Sequence, residues 1–164
     1  MDYIILDLGD DVKGESTLDG VTDKIVCLSY SHGVSQPLSW DVGNAKRTTG
    51  RPQHQDMVIS KLYDKATPAL NYNCCIGKAF ATAKLTIYQM DEGDKKPKKY
   101  IEYEMTDAII SSISVGGGGG QPSETLSLNY SKIKWWYTAQ DDSASQKGNL
   151  AYEYDLTLGK AASA

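Results

Sequence analysis

The sequence predicts a mainly β fold, a barrel-like pair of packed antiparallel sheets with one short α-helix and one extended loop. Three observations carry this. Apolar and polar residues alternate in segment after segment, as in strands with one buried face. Glycine, proline and small polar residues separate those segments at short intervals. One stretch alone, about residues 67–76, has both a helix start and a helix stop.

In the first strand Ile4, Leu6 and Leu8 alternate with Ile5 and Asp7, and Asp10–Glu15 turns the chain. The second strand, Ile25–Tyr30, puts Val26, Leu28 and Tyr30 on one face and Ile25 and Cys27 on the other. Apolar residues on both faces mean burial on both sides or a subunit contact on one. Residues 38–55 contribute little core material. Gly43, Asn44, Gly50 and Pro52 surround the polar run Ala45–Thr49, as in an extended loop. Residues 56–62 form a strand again.

The helix follows. Thr67 can accept an N–H at the N-cap, Pro68 sits where a missing N–H costs nothing, and Gly77 can adopt the left-handed conformation that ends a helix. Ala69, Tyr72 and Ile76 form one stripe, with Leu70 and Cys74 beside it. At roughly 14 Å the helix is too short to persist without a β framework around it.

In the strand 82–90, Leu85 and Ile87 oppose Lys84, Thr86 and Tyr88. A hairpin turn centred on Pro97 returns the chain as 100–105, with Ile101, Tyr103 and Met105 on one face and Glu102 and Glu104 on the polar one. In the strand 108–115, Ile109, Ile113 and Val115 point inward while Ile110, Ser112 and Ser114 point outward. Leu126, Leu128 and Tyr130 alternate next. The phase then slips to Ile133, Trp135 and Tyr137, which a β-bulge near Ser131 would explain. Trp135 and Trp136 face opposite sides, so one fills the core and the other needs a pocket or a partner. Leu150, Tyr152, Tyr154, Leu156 and Leu158 alternate with Ala151, Glu153, Asp155 and Thr157, the pattern of a half-buried antiparallel strand. There is no internal repeat, and residues 1–164 are expected to form a single domain.

Composition narrows the function. Acidic residues number 21 and basic residues 17, a net charge of −4, which argues against nucleic acid as a partner. The basic run Lys95–Lys99 follows Asp91, Glu92 and Asp94, as in a solvated turn. No stretch approaches the roughly 20 apolar residues that span a bilayer, so no membrane insertion is expected. Met1–Asp7 does not read as a signal peptide, so the chain is expected to fold in the cytoplasm. Cys27, Cys74 and Cys75 make an odd count, which fits reduced thiols. With only His32 and His54 to join them, a metal site would need ligands from distant places. Gly116–Gly120 is followed by Gln121-Pro122, which supplies neither the lysine nor the hydroxyl of a phosphate loop. No nucleophile elbow or zinc-protease motif is present. The expectation is no enzyme, no catalytic residue, no metal and no cofactor. The 11 tyrosines suit surfaces that are apolar and hydrogen-bonding at once.

Four segments carry a family resemblance. Val58-Ile-Ser-Lys-Leu-Tyr-Asp-Lys-Ala-Thr-Pro-Ala-Leu70 resembles the haemolysin-coregulated protein (Hcp) family, the inner-tube proteins of bacterial type VI secretion systems. Val12-Lys-Gly-Glu-Ser16, Ala83-Lys-Leu-Thr-Ile87 and Ile110-Ser-Ser-Ile-Ser-Val-Gly116 are similar to it in the same order, and the likeness runs from about Ile4 to Leu158. The resemblance implies a homohexameric ring with a wide channel. Rings stack into a tube that a contracting sheath expels, working with spike and baseplate proteins. Small effector proteins would travel in the lumen, and export would need no signal peptide. By position, Ser112, Ser114, Gly116, Gly117, Gly118, Gly119 and Gly120 resemble the family's lumen side. Trp40, Asn44, Arg47 and Arg51 in the extended loop, with Trp136, are expected at contacts between subunits or rings. A phage-tail-like tube protein and a monomeric β-sandwich binding module are the alternative readings.

Overall fold

The computed structural model describes residues 2–40, 43, 47, 50–90, 96–140 and 146–163. The strands are β1 (Asp2–Asp7), β2 (Ile25–Cys27), β3 (Ser29–Ser31), β4 (Val34–Ser35), β5 (Gln53–His54) and β6 (Met57–Leu62). After α1 (Thr67–Ile76) come β7 (Ala79–Met90), β8 (Pro97–Gly116), β9 (Ser123–Asn129), β10 (Lys132–Gln140), β11 (Gln146–Asp155) and β12 (Lys160–Ser163).

All the strand pairs described are antiparallel. One layer runs β12-β11-β10-β8-β7-β1-β2, and β3, β6 and β9 form the other, joined to the first through β8. The segment 25–31 turns the corner between them. β2 pairs with β1, whereas β3, one residue later, pairs with β6, and the Leu28 N–H donates to Ser60 O. The result is two packed layers rather than an unbroken barrel. Between them lies one core, with Leu6, Ile25, Leu85, Met105 and Ile133 from the first layer and Met57, Ile59, Leu126 and Leu128 from the second. Residues 12–16 lie against the core edge at Lys24–Ile25. Gly14 is required there, because a Cβ would come within 2.3 Å of Lys24 O.

The helix has the expected bounds but a different buried face. Leu70, Thr67 and Asn73 are buried, while Tyr72 is 65% exposed and Ile76 is exposed as well. The N-cap is Ala66 with no side-chain cap. Thr67 lies inside the helix, where its hydroxyl accepts from the Asp64 N–H and from Lys61 Nζ. Gly77 ends the helix at φ 63°, and its N–H donates to Cys74 O.

The two segments expected at 100–105 and 108–115 are one strand of 20 residues, β8. Pro97 is not the centre of the turn; it pairs with Met90 inside the ladder. The phase within β8 changes at Asp107, which adopts φ 50°. Ala108 and Ile110 are therefore buried and Ile109 is exposed, the reverse of the expected faces. A register shift between Ile110 and Ser112 then returns Ile113 to the core side, as expected, while Val115 is exposed. The slip near Ser131 has the same origin. It is not a bulge in one strand, since Asn129 faces Ile109 and Lys132 faces Thr106 in unbroken register. Both paired strands switch face at the same level, so the buried pairs are Met105 with Ile133 and Ala108 with Tyr130. Ser131 N–H donates to Thr106 O, and Ser131 Oγ donates to the Asp107 carboxylate, across this kink.

Three further differences concern polarity and ends. Glu102 is buried rather than solvated and accepts from Thr86 Oγ1 at 3.1 Å and Lys99 Nζ at 3.2 Å. The strand expected from 82 begins at Ala79. Residues 160–163, beyond the last strand expected from the sequence, pair with Tyr152–Asp155 as β12.

Candidate assembly surfaces

A row of apolar side chains crosses β8, β10 and β11. Ile101 faces Tyr137, which faces Leu150; Tyr103 faces Trp135, which faces Tyr152. Cross-strand neighbours of this kind pack into a continuous strip. The strip lines a groove of about 280 Å³. It stays open to solvent: Leu150 and Tyr152 are each 59% exposed, while Ala151, between them, is buried. The expected half-buried last strand thus leaves Leu150 and Tyr152 exposed, while Tyr154 stacks on His54 and Leu156 packs against the core. Trp136 lies on the other face of β10, partly buried under the ammonium groups of Lys134, 4.5 Å from its ring centroid, and Lys99, 5.9 Å from it.

A second apolar surface lies at the other end of the strand order. Val26 and Leu28 join Leu62 and Tyr63 around a shallow groove, and all four are exposed. The second strand is therefore buried on the Ile25 and Cys27 side only.

The extended loop rises from a two-stranded root in which Val34 pairs with His54 and Ser35 with Gln53. Arg47 is brought onto Trp40, with its guanidinium carbon 3.9 Å from the ring centroid, and Ser39 N–H donates to Arg47 O at 2.8 Å. Trp40 is 80% exposed even so. Such a stacked pair presents an aromatic face and a charge together. Arg51 is exposed beside Pro52 at the end of the excursion. Asn44 lies outside the described residues.

Beneath the root the structure brings together two histidines that are distant in sequence. The rings of His32 and His54 are 6.5 Å apart and pack against Tyr130 and Trp135, with Tyr103 on the His32 side and Tyr154 stacked on His54. Their ring neighbours are aromatic. Among the described residues no three His, Cys, Asp or Glu side chains gather as metal ligands.

The far end of β8 leads into the glycine loop. Ser112, Ser114 and Gly116–Gly120 are all exposed, though Ser112 Oγ is hydrogen-bonded to Ser127 Oγ at 2.6 Å. Within the loop Gly119 needs glycine's freedom, at φ 83°. A Cβ added at Gly116, Gly118 or Gly120 would meet nothing within 4 Å.

Sequence reading missed one element of this architecture. Lys61 is fully buried, and its ammonium shares its three protons among Glu124, Asp64, the carbonyl of Leu62 and, more distantly, Thr67 Oγ1. Glu124 is buried too. The network ties β6, β9 and the start of α1 together next to the second apolar surface. The signal was present, because Lys61 follows Met57 and Ile59, and Glu124 precedes Leu126 and Leu128, on the core phase of their strands.

Comparison with known proteins places this arrangement. The family described as "Type VI secretion system effector, Hcp" matches residues 5–137. The chain belongs to the Hcp family. Protein hcp1 of Pseudomonas aeruginosa is 33% identical over 149 residues, covering 89% of this chain and 90% of that protein. The "Major exported protein" of the same organism is 24% identical over 144 residues, covering 83% of this chain and 81% of that protein. A solved type six secretion system protein superposes with a TM-score of 0.88 at 25% identity, covering 99% of this chain and all of the other. The likeness in fold to that secretion protein extends over nearly the whole chain, including the kinked β8. Type VI secretion is the process in which an Hcp protein takes part.

Proposed function

We propose that this Hcp chain is a structural subunit of the type VI inner tube. Six copies close into a ring, rings stack, and sheath contraction expels the tube. The observation that carries this reading is the presence of two different exposed apolar surfaces at opposite ends of the strand order, around Leu150–Tyr152 and around Val26–Leu28. A two-fold dimer needs only one self-complementary patch. Two unlike patches that fit each other generate a head-to-tail contact, which closes when its rotation divides a circle. The strip on β8, β10 and β11 is the hydrophobic centre of one side of that contact.

The whole chain acts as one Hcp-like domain. It folds in the cytoplasm and leaves with the tube, in the company of sheath, spike and baseplate proteins. Catalysis and cofactors play no part. Trp40, Arg47 and Arg51, with Asn44 and Trp136, contact neighbouring subunits or rings. Ser112, Ser114 and Gly116–Gly120 line the channel, where small side chains leave room for effector proteins. Electron microscopy of the assembled particle tests these placements. The expected map has the glycine loop at the inner wall and Trp40 within reach of a neighbouring chain. A map with the glycine loop on the outer rim, or Trp40 against bulk solvent, would remove them.

A further inference from the structure

The loop root contains an arrangement that the tube function does not require. Tyr130 has one hydroxyl proton and three polar neighbours: Gln55 O at 3.1 Å, and the Nδ1 atoms of His32 and His54, each at 3.4 Å. A carbonyl can only accept, so the hydroxyl donates to Gln55 O. Its oxygen lone pairs then face two ring nitrogens, each of which must carry its proton to form a bond. Both imidazoles are thereby set as neutral Nδ1–H tautomers with bare Nε2 atoms. His32 Nε2 is buried and meets no hydrogen-bonding partner. A second proton on that ring would land on Nε2, where the new N–H has nothing to donate to. It would also place a cation 6.5 Å from the other imidazole.

One backbone group favours an imidazolium, the hydrogen bond between His32 and Gln55, and burial outweighs it. Tyr103 on β8, Tyr130 after β9 and Tyr154 on β11 are phenols, and burial raises the pKa of both Tyr103 and Tyr130, so they stay neutral. Trp135 on β10 presents a ring. The carboxylate whose field reaches the cluster is Asp56, acting on Tyr130. Both its oxygens are engaged, accepting from Asn129 Nδ2 at 2.8 Å and Ser111 Oγ at 2.6 Å.

The two histidines flank the root of the loop. His54 is the cross-strand partner of Val34, and Gln55 N–H donates to Gly33 O at 2.9 Å. We propose that His32, His54 and Tyr130 form a proton-operated latch: uptake of a proton by this pair parts β4 from β5. The latch is closed at neutral pH and opens in mild acid. The direction follows from linkage. Burial holds both histidines below their ordinary value of 6.5; on His32 a hydrogen bond to the Gln55 backbone opposes it in part and His54 adds to it. The folded state thus binds fewer protons than the open one as pH falls through that value. The closure the neutral pair provides is complete above 6.5 and is lost as pH drops through the lowered values. Any effect on ring assembly rests on the loop contact proposed above, whereas the latch is a property of each chain.

Deuterium exchange at the Gln55 amide, corrected for the intrinsic rate at each pH, tests it on the assembled protein. The expected result is at least tenfold faster exchange at pH 5 than at pH 7.5 in the wild type. In the His32→Asn/His54→Asn variant, whose amides retain a neutral donor near the Nδ1 position, the change should be under twofold. Flat exchange in the wild type, or an equal change in the variant, overturns the latch. Nitrogen-15 spectra of wild-type histidines give a second test that needs no variant. Both should appear as Nδ1–H tautomers at pH 7.5 and titrate below 6.5; Nε2–H tautomers or titration at or above 6.5 would contradict the proposal. Scattering mass recorded on the same samples separates a failed latch from a failed ring.

Discussion

Replacing Lys61 by methionine should destabilise the fold by about 3–5 kcal/mol, because it leaves a charged partner buried and uncompensated. Lys61 and Glu124 have side chains that are 0% exposed, and the lysine also holds Asp64 and Thr67 at the entrance to α1. The Glu124 oxygen that does not face the lysine already lacks a hydrogen-bond partner. Removing the lysine would leave the whole carboxylate without compensation. A paired replacement, Lys61→Met with Glu124→Leu, removes both charges and should recover most of that loss. Urea unfolding at a fixed protein concentration gives the comparison, since assembly adds to apparent stability. If the single variant unfolds within about 1 kcal/mol of the wild type, the network is not the clamp described here.

A larger change is expected from Leu150→Asp combined with Tyr152→Asp. Both side chains are more than half exposed in the isolated chain, so the substitutions should leave the fold intact. In an assembled ring each would bury apolar surface worth about 1.5–3 kcal/mol, and an aspartate there would be desolvated without a partner. The particle should fall to single chains of 17.9 kDa with an unchanged circular dichroism spectrum. A ring that survives both substitutions would show that this strip is not the contact.

The same outward strip explains what could and could not be read in the sequence. The helix bounds were legible because Pro68 and Gly77 act locally through backbone geometry. Strand existence was legible from alternation, as in 82–90 and at Leu126, Leu128 and Tyr130. Which face was buried was not. In a chain that spends apolar residues on both core and contact surfaces, hydrophobicity alone does not separate Leu70 from Tyr72, or Ala151 from Leu150. The faces of β8 were misread for a different reason. Asp107 at φ 50° shifts the phase of the strand, and nothing in an isolated aspartate announces that conformation. The meeting of His32 with His54 depends on the pairing of β4 with β5 across the whole extended loop, a long-range contact with no local signal. Of the surfaces proposed for assembly, Trp40 was suggested by the family resemblance and Trp136 by its adjacency to Trp135, whereas the Leu150–Tyr152 strip became visible only once its burial was known.

The central claim is a closed ring of this chain, and light scattering on a sizing column tests it most directly. Six copies of 17.9 kDa give about 107 kDa, and electron micrographs of that peak should show open rings. A single species of 17.9 kDa at every concentration and salt condition would contradict the account, and the two apolar surfaces would then need another partner.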